Sequence, residues 1–253
     1  MRDTMPQQTN NAIAVSGVGK GFPRKKDVLR EVDLDVRRGE LFGLLGPNGV
    51  GKTTLLKMMA TLVLPDRGSI EIDGIDAVAK PMLARSRIGF CSSEDRSFYF
   101  RLTARQNLRF FGALCGLRGS RLNERVTQTL AEVGLLDAID RRFGEFSSGM
   151  RQRLVVARAL LSDPPILLFD EPTRAVDPIA ADGLHRLMRD DLVDRQGKTL
   201  VLATNLLQEA WSLCDRVAVV SNGTIAALGP PEQLNRNARS PIEFFKEVTG
   251  YAV

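Results

Sequence analysis

Apolar residues in this chain change their period from segment to segment. Ala12-Ile-Ala-Val-Ser-Gly-Val18 begins with strand-like alternation, and Val28-Leu-Arg-Glu-Val-Asp-Leu-Asp-Val36 continues it. Val28, Val32, Leu34 and Val36 suggest a sheet with one buried face. Ile70-Glu-Ile-Asp-Gly74 adds a short strand and turn, so an antiparallel layer is expected from these segments. Glu40-Leu-Phe-Gly-Leu-Leu45, Ile166–Phe169, Thr199–Ala203 and Val217–Val220 are instead apolar runs, the pattern of parallel strands covered on both faces. Between Leu102 and Val133 the period becomes helical. Asn107, Leu108, Phe110, Phe111, Leu114 and Leu117 form one stripe, and Leu122, Val126, Leu130 and Val133 a second. Further helices are expected over Thr53–Ala60, Ala181–Leu192 and Pro241–Val248. The fold class is therefore α/β, with a helical insertion from about Glu94 to Gly149.

Composition narrows this picture. With 253 residues, 43% of them hydrophobic, the chain can bury the core of one large α/β domain or two small ones. No apolar run approaches the ~18 residues of a membrane-spanning helix, so none is expected. Met1–Asn11 is polar and lacks the apolar stretch of a signal peptide. Cys91, Cys115 and Cys214 match neither a zinc pattern nor a disulfide framework, which points to a reducing cytosol. The formal charge of +5 is spread along the chain, with Arg24-Lys-Lys26 as its one short basic run. We read it as compositional, and no nucleic-acid partner is expected.

The strongest chemical signal is Gly46-Pro47-Asn48-Gly49-Val50-Gly51-Lys52-Thr53-Thr54, which fits the phosphate-loop pattern G-x-x-x-x-G-K-[ST]. Gly46, Gly49 and Gly51 permit a sharp turn and close approach to an anion. The backbone N–H groups then form an anion-binding nest at a helix N-terminus. Lys52 supplies charge for the β- and γ-phosphates, and Thr53 a hydroxyl for Mg2+. Ile166-Leu-Leu-Phe-Asp170-Glu171 places two acids after a buried strand, where ligands bind in α/β sheets. Asp170 suits Mg2+, through water, and Glu171 suits general-base activation of a water molecule. Phe146-Ser147-Ser148-Gly149-Met150 is a Ser/Gly turn opening a helix, where Ser147 can cap the helix or bind phosphate.

Together these segments resemble the ATP-binding subunit of an ABC transporter, over about Ala12 to Gly229. Gly46–Thr54 resembles Walker A and Ile166–Glu171 resembles Walker B. Phe146–Met150 resembles a variant of the L-S-G-G-Q signature, and Arg174-Ala-Val-Asp177 the D-loop. The resemblance implies a P-loop NTPase, RecA-like core with an antiparallel β layer and an inserted helical subdomain. It divides the chain into a flexible tail (1–11), an ATP-binding domain (12–235, with the insertion at about 94–149) and a C-terminal helical tail (236–253). It implies Phe22 stacked on adenine, and ATP and Mg2+ as ligands. It also implies a second ATP-binding subunit packed head to tail, so that Ser147, Ser148, Gly149 and Asp177 act across the interface. It implies that the chain sits peripherally at the cytoplasmic face of the cell membrane and drives a separate transmembrane permease. Arg105–Leu117 is similar to the corresponding region of subunits serving exporters, and with Ser97-Phe-Tyr-Phe-Arg101 it should face the permease.

Two positions depart from the family pattern. Asn205 stands where a histidine usually contacts the γ-phosphate; it can donate a hydrogen bond but carries no charge. Ser93 stands where a glutamine usually contacts Mg2+ and the permease, and it or Glu94 would have to supply the oxygen. The single histidine, His185, is expected on the surface. Two readings follow: a working but slower ATPase, or a partly degenerate subunit paired with a more complete one. Intact Lys52 and Glu171 favour the first. A third class, soluble ABC-type ATPases acting on ribosomes or DNA, usually carries two ATPase units or a long coiled coil; this chain has neither.

Overall fold

A computed structural model of the chain describes residues 10–23, 25–92, 97–174, 176–235 and 240–250. Its first layer is a four-stranded antiparallel sheet in the order β2-β1-β4-β5, from β1 (Asn11–Phe22), β2 (Lys25–Arg37), β4 (Arg67–Ile72) and β5 (Ile75–Asp76). The alternation seen in sequence is interrupted by bulges. Gly17 and Glu31 take positive φ (58° and 46°), and the β1–β2 register shifts between Val15 and Val18. The extra residue lets Leu29 face the core together with Val32, Leu34 and Val36, which a strict period of two would forbid.

The second layer is a six-stranded sheet in the order β10-β9-β3-β8-β7-β6. It comprises β3 (Leu41–Leu45), β6 (Ile88–Ser92), β7 (Ile166–Asp170), β8 (Thr199–Thr204), β9 (Arg216–Ser221) and β10 (Thr224–Gly229). All neighbours are parallel except β10, which pairs antiparallel with β9 at the edge. Every residue of β3, β7, β8 and β9 is buried, as the unbroken apolar runs require. One core lies between the two sheets and takes in Leu55, Met58 and Met59 of α1 (Lys52–Met59). The other lies on the helical side and joins Phe169 and Leu200 to Leu154, Leu160 and Leu187.

That side is built by α3 (Ala104–Leu114), α4 (Gly119–Glu132) and α5 (Ser148–Leu160), with the short α2 (Pro81–Arg85) preceding them. Thr103 and Gln106 form a reciprocal capping box at the start of α3. The apolar stripe read along α3 is split by the tertiary packing. Asn107 and Leu108 are buried, whereas Phe110 and Leu114 are 41% and 71% exposed. The reason is Gly112: a Cβ there would lie 2.4 Å from Leu122 Cδ1, so the backbone of α3 approaches α4 on the Gly112 face. Phe98 stacks on Phe143, with ring centroids 5.0 Å apart, and seals the base of α3.

Next come α6 (Pro178–Arg186), continued by a π-helical segment (Leu187–Arg195), and then α7 (Leu207–Leu213). The chain closes with α8 (Pro231–Leu234) and α9 (Pro241–Thr249). α9 is part of the core: Phe244 is buried in the helical-side cluster, 5.8 Å from the Trp211 ring. β1 starts at Asn11, inside the segment expected as a tail. Removing the Phe244 ring should destabilise the fold by about 3 kcal/mol. Urea unfolding of Phe244→Ala, followed through Trp211, the only tryptophan, reads both the loss and the changed ring environment.

Candidate nucleotide site

The parallel register sets the site. Asp170 pairs with Ala203 and Leu45 with both Thr204 and Val219, so β3, β7, β8 and β9 end level with one another. The loops that follow, beginning at Gly46, Glu171 and Asn205, leave from one edge.

The loop after β3 is shaped by two glycines whose neighbours admit no side chain. A Cβ at Gly46 would lie 2.4 Å from the Val220 carbonyl oxygen, and one at Gly51 2.6 Å from Leu29 Cδ2. Gly49 and Gly51 also take positive φ, 79° and 114°. Lys52 folds back over the loop, its ammonium donating to the carbonyls of Gly46 (2.7 Å) and Pro47 (3.0 Å). Burial pulls that ammonium below its ordinary pKa, with the Glu171 and Asp170 carboxylates opposing. Thr53 Oγ1 donates to Asp170 Oδ1 at 3.0 Å and ties the loop to the end of β7. Burial pushes the Asp170 carboxyl up, while the Thr53 hydrogen bond works against it.

These groups surround a cleft of about 450 Å3, lined by Phe22, Asn48, Gly49, Gly51 to Thr54, Lys57, Ser92, Asp170, Glu171 and Arg174. Phe22 is exposed at the end of β1, with Lys20 Nζ 5.4 Å from its ring centroid, so it is not a core residue. Pro47 and Val50 belong to the loop, but their side chains do not line the cleft. Glu171 sits in the left-handed region (φ 48°), uncommon for a residue with a Cβ, held there by its N–H donating to the Ala203 carbonyl at 2.9 Å. Asn205 Nδ2 donates to Asn48 Oδ1 at 3.2 Å, so it meets the phosphate loop through a side chain. Ser93, expected as a metal ligand, lies outside the described residues, as does Glu94.

The remaining expected ligands sit elsewhere in the chain. Ser147 caps α5, its hydroxyl accepting from the Met150 N–H at 3.2 Å. Ser148 opens that helix, and Gly149 is packed so closely on α6 that a Cβ would lie 2.7 Å from Ala180 Cβ. Asp177 caps α6, accepting from the N–H groups of Ile179 and Ala180. None of these four lines the cleft.

The matching family profile, described as ABC transporter, covers residues 29–174, more than half of the chain. The chain belongs to the ABC transporter family. Over 231 residues this ATP-binding subunit is 38% identical to the ABC transporter ATP-binding protein NatA of Bacillus subtilis (strain 168), covering 90% of this chain and 93% of that one. It is 39% identical to the Nod factor export ATP-binding protein I of Rhizobium sp. (strain N33), covering 88% and 72%. It is 37% identical to the doxorubicin resistance ATP-binding protein DrrA of Mycobacterium tuberculosis (strain ATCC 25618 / H37Rv), covering 90% and 68%. A solved ATP-binding subunit of an ABC transporter superposes with a TM-score of 0.80 at 29% identity, covering 94% and 99%. The cbiO1 structure from Clostridium perfringens superposes at 0.82 with 24% identity, covering 90% and 92%, a likeness of fold.

The structure also brings forward residues of this ABC subunit that sequence reasoning passed over. Glu209 in α7 is buried and receives Thr173 Oγ1 at 2.7 Å. His185 Nε2 lies 2.9 Å from the same carboxylate oxygen. His185 is therefore half-buried, not a free surface residue, because a buried carboxylate draws in the polar partners within reach. Gln208-Glu209-Ala210 in the sequence marked only the register after Asn205; its pairing with Pro172-Thr173 has no local signal. Burial alone would push the Glu209 carboxyl up, but hydrogen bonds from His185, Thr204 and Thr173 hold it below the ordinary glutamate value. A depressed folded pKa means stability that is full above the ordinary value of 4.5 and lost as the pH falls through the folded value. Glu209→Gln should cost about 2 kcal/mol at neutral pH. Thermal unfolding of both proteins should show this gap closing below that ordinary value.

Proposed function

We propose that this ABC subunit binds ATP in the Phe22–Lys52–Asp170 cleft, hydrolyses it with Glu171 as general base, and drives an export permease as one half of an ATP-sandwiching pair. The observation that carries this reading is the Thr53–Asp170 contact, 3.0 Å long, which joins the phosphate loop to the acidic strand end. Lys52 exchanges its loop carbonyls for the β- and γ-phosphates, a stronger charge-assisted partner. The α1 N-terminus and the loop N–H groups hold the same anion. Phe22, exposed beside the cleft, offers its face to the adenine ring.

Thr53 and Asp170 present hard oxygen donors side by side in the cleft and suit Mg2+, which takes few protein ligands and completes its shell with phosphate oxygens and water. The ion supplies neutralisation of phosphate charge there. Glu171 accepts a proton from water as the water oxygen attacks the γ-phosphorus; the bond to the β–γ bridging oxygen breaks and ADP leaves with it. Asn205, held against Asn48, steadies the loop and brings no charge to the reaction.

Ser147, Ser148, Gly149 and Asp177 lie away from their own chain's cleft, which supports a role in the cleft of a second subunit. Closure of such a pair is favoured by ATP because ATP binds the closed state better. Tyr99, Phe100, Phe110 and Leu114 are exposed apolar side chains on the helical insertion, with the Tyr99 and Phe110 rings 5.3 Å apart. Their aromatic character suits a protein interface, and the permease is the partner we assign to it. Among the described residues no helix is long and apolar enough to cross a membrane, consistent with a permease on another chain. The names of the Nod factor and doxorubicin relatives support export, and lend no support to action on ribosomes or DNA.

Mg2+-dependent phosphate release and binding of a fluorescent ATP analogue test this reading. Glu171→Gln should lower kcat by about 100-fold or more while ATP binding persists. Lys52→Ala should weaken ATP binding itself. Asn205→His, restoring a donor that can carry charge, should raise kcat by about tenfold; an unchanged rate would remove Asn205 as a cause of slow turnover.

A further inference from the structure

Arg174 lines the cleft but belongs to neither the phosphate loop nor the acidic strand end. It follows Glu171 by three positions. Its Nη1 donates to Glu171 Oε2 at 3.0 Å. The turn is closed a second time by the backbone, Arg174 N–H donating to the Glu171 carbonyl at 3.2 Å. The partners differ in exposure: the Arg174 side chain is 57% accessible and that of Glu171 only 12%.

A part-exposed ion pair adds little to stability, so the consequence of this contact is orientational. A glutamate side chain has three torsions, the last of them broad and weakly restrained. Here it also departs from a backbone in the left-handed region. A charge-assisted contact from the guanidinium to one carboxylate oxygen fixes where that oxygen lies and so limits rotation about the last torsion. A general base needs only its other oxygen, directed at the water it activates, and small misplacements of such a group are costly.

We propose that Arg174 is the positioning residue for Glu171: it occupies Oε2 and thereby directs Oε1 to the attacking water. This rests on the reading of Glu171 as general base and adds a division of labour between its oxygens. The proton leaves water for Oε1, the water oxygen bonds the γ-phosphorus, and the bond from that phosphorus to the β–γ bridging oxygen breaks with its electron pair going to ADP. Arg174 neither gains nor loses a proton and makes no contact with the nucleotide.

The test combines steady-state ATP hydrolysis by the full chain with separate measurement of ATP affinity and thermal midpoint for Arg174→Ala, Arg174→Lys, Glu171→Gln and the Glu171→Gln/Arg174→Ala double variant. Arg174→Ala should lose between about tenfold and about a hundredfold in kcat, with ATP affinity and thermal midpoint unchanged. Arg174→Lys, a point charge without the fork, should recover part of the loss. In the Glu171→Gln background Arg174→Ala should have no further effect, because the two residues act as a unit. Side-chain 15N NMR supplies a readout independent of turnover: the Arg174 guanidinium signal should move in Glu171→Gln. Wild-type kcat in Arg174→Ala overturns the proposal. A parallel loss of ATP affinity overturns it in favour of a phosphate ligand, and a raised kcat in favour of a brake. Wild-type turnover in Glu171→Gln would instead defeat the general-base reading itself, and so the two failures are distinguishable.

Discussion

Parallel strands buried on both faces cannot slide against one another without breaking their ladders or exposing apolar side chains. In this chain β3 lies between β8 and β9, and every residue of the three is buried. Their register brings the carboxyl ends of these strands and β7 level. Loops far apart in sequence therefore begin side by side, and the cleft forms wherever their first residues meet. The Thr53–Asp170 hydrogen bond is the local result of that constraint. Gly46, pressed on the Val220 carbonyl, shows how little room the constraint leaves.

The cleft holds buried charges of both signs, and each offsets the cost of the other. Burial drives the Lys52 ammonium and the Asp170 carboxyl toward their neutral forms, while the neighbouring opposite charges work against it. The Lys52 ammonium is meanwhile held by the Gly46 and Pro47 carbonyls. Behind the cleft, the Glu209 carboxylate binds Thr173, two residues past Glu171, to the helix that follows Asn205. His185 extends the junction to α6, the helix that Asp177 caps. The turn after β7, helix α6 and helix α7 thus share one buried carboxylate.

On the helical side the decisive contact is steric. The backbone of α3 approaches Leu122 because Gly112 has no side chain, and that approach turns Phe110 and Leu114 outward. The same residues that read as one apolar stripe in sequence are divided by this contact between a core and a surface. The Phe98, Phe111, Phe143 and Phe146 rings pack beneath these exposed side chains and support them.

Much of the architecture was legible in the chain itself. Period-two alternation and unbroken apolar runs set the two kinds of sheet, since side-chain direction along a strand depends only on local geometry. The phosphate loop and the Asp170-Glu171 pair were equally readable, because each is contiguous and its chemistry is carried by neighbouring residues. Bulges at Gly17 and Glu31, the exposure of Phe110 and Leu114, the pairing of half-buried His185 with Glu209 and the contacts Asn48–Asn205 and Glu171–Arg174 were decided by the tertiary structure. Each depends on which backbone atoms approach across long sequence separation, or on which of several possible partners a flexible side chain meets. No local periodicity encodes that choice; it is made when the strands settle into register and bring their loops to a common edge.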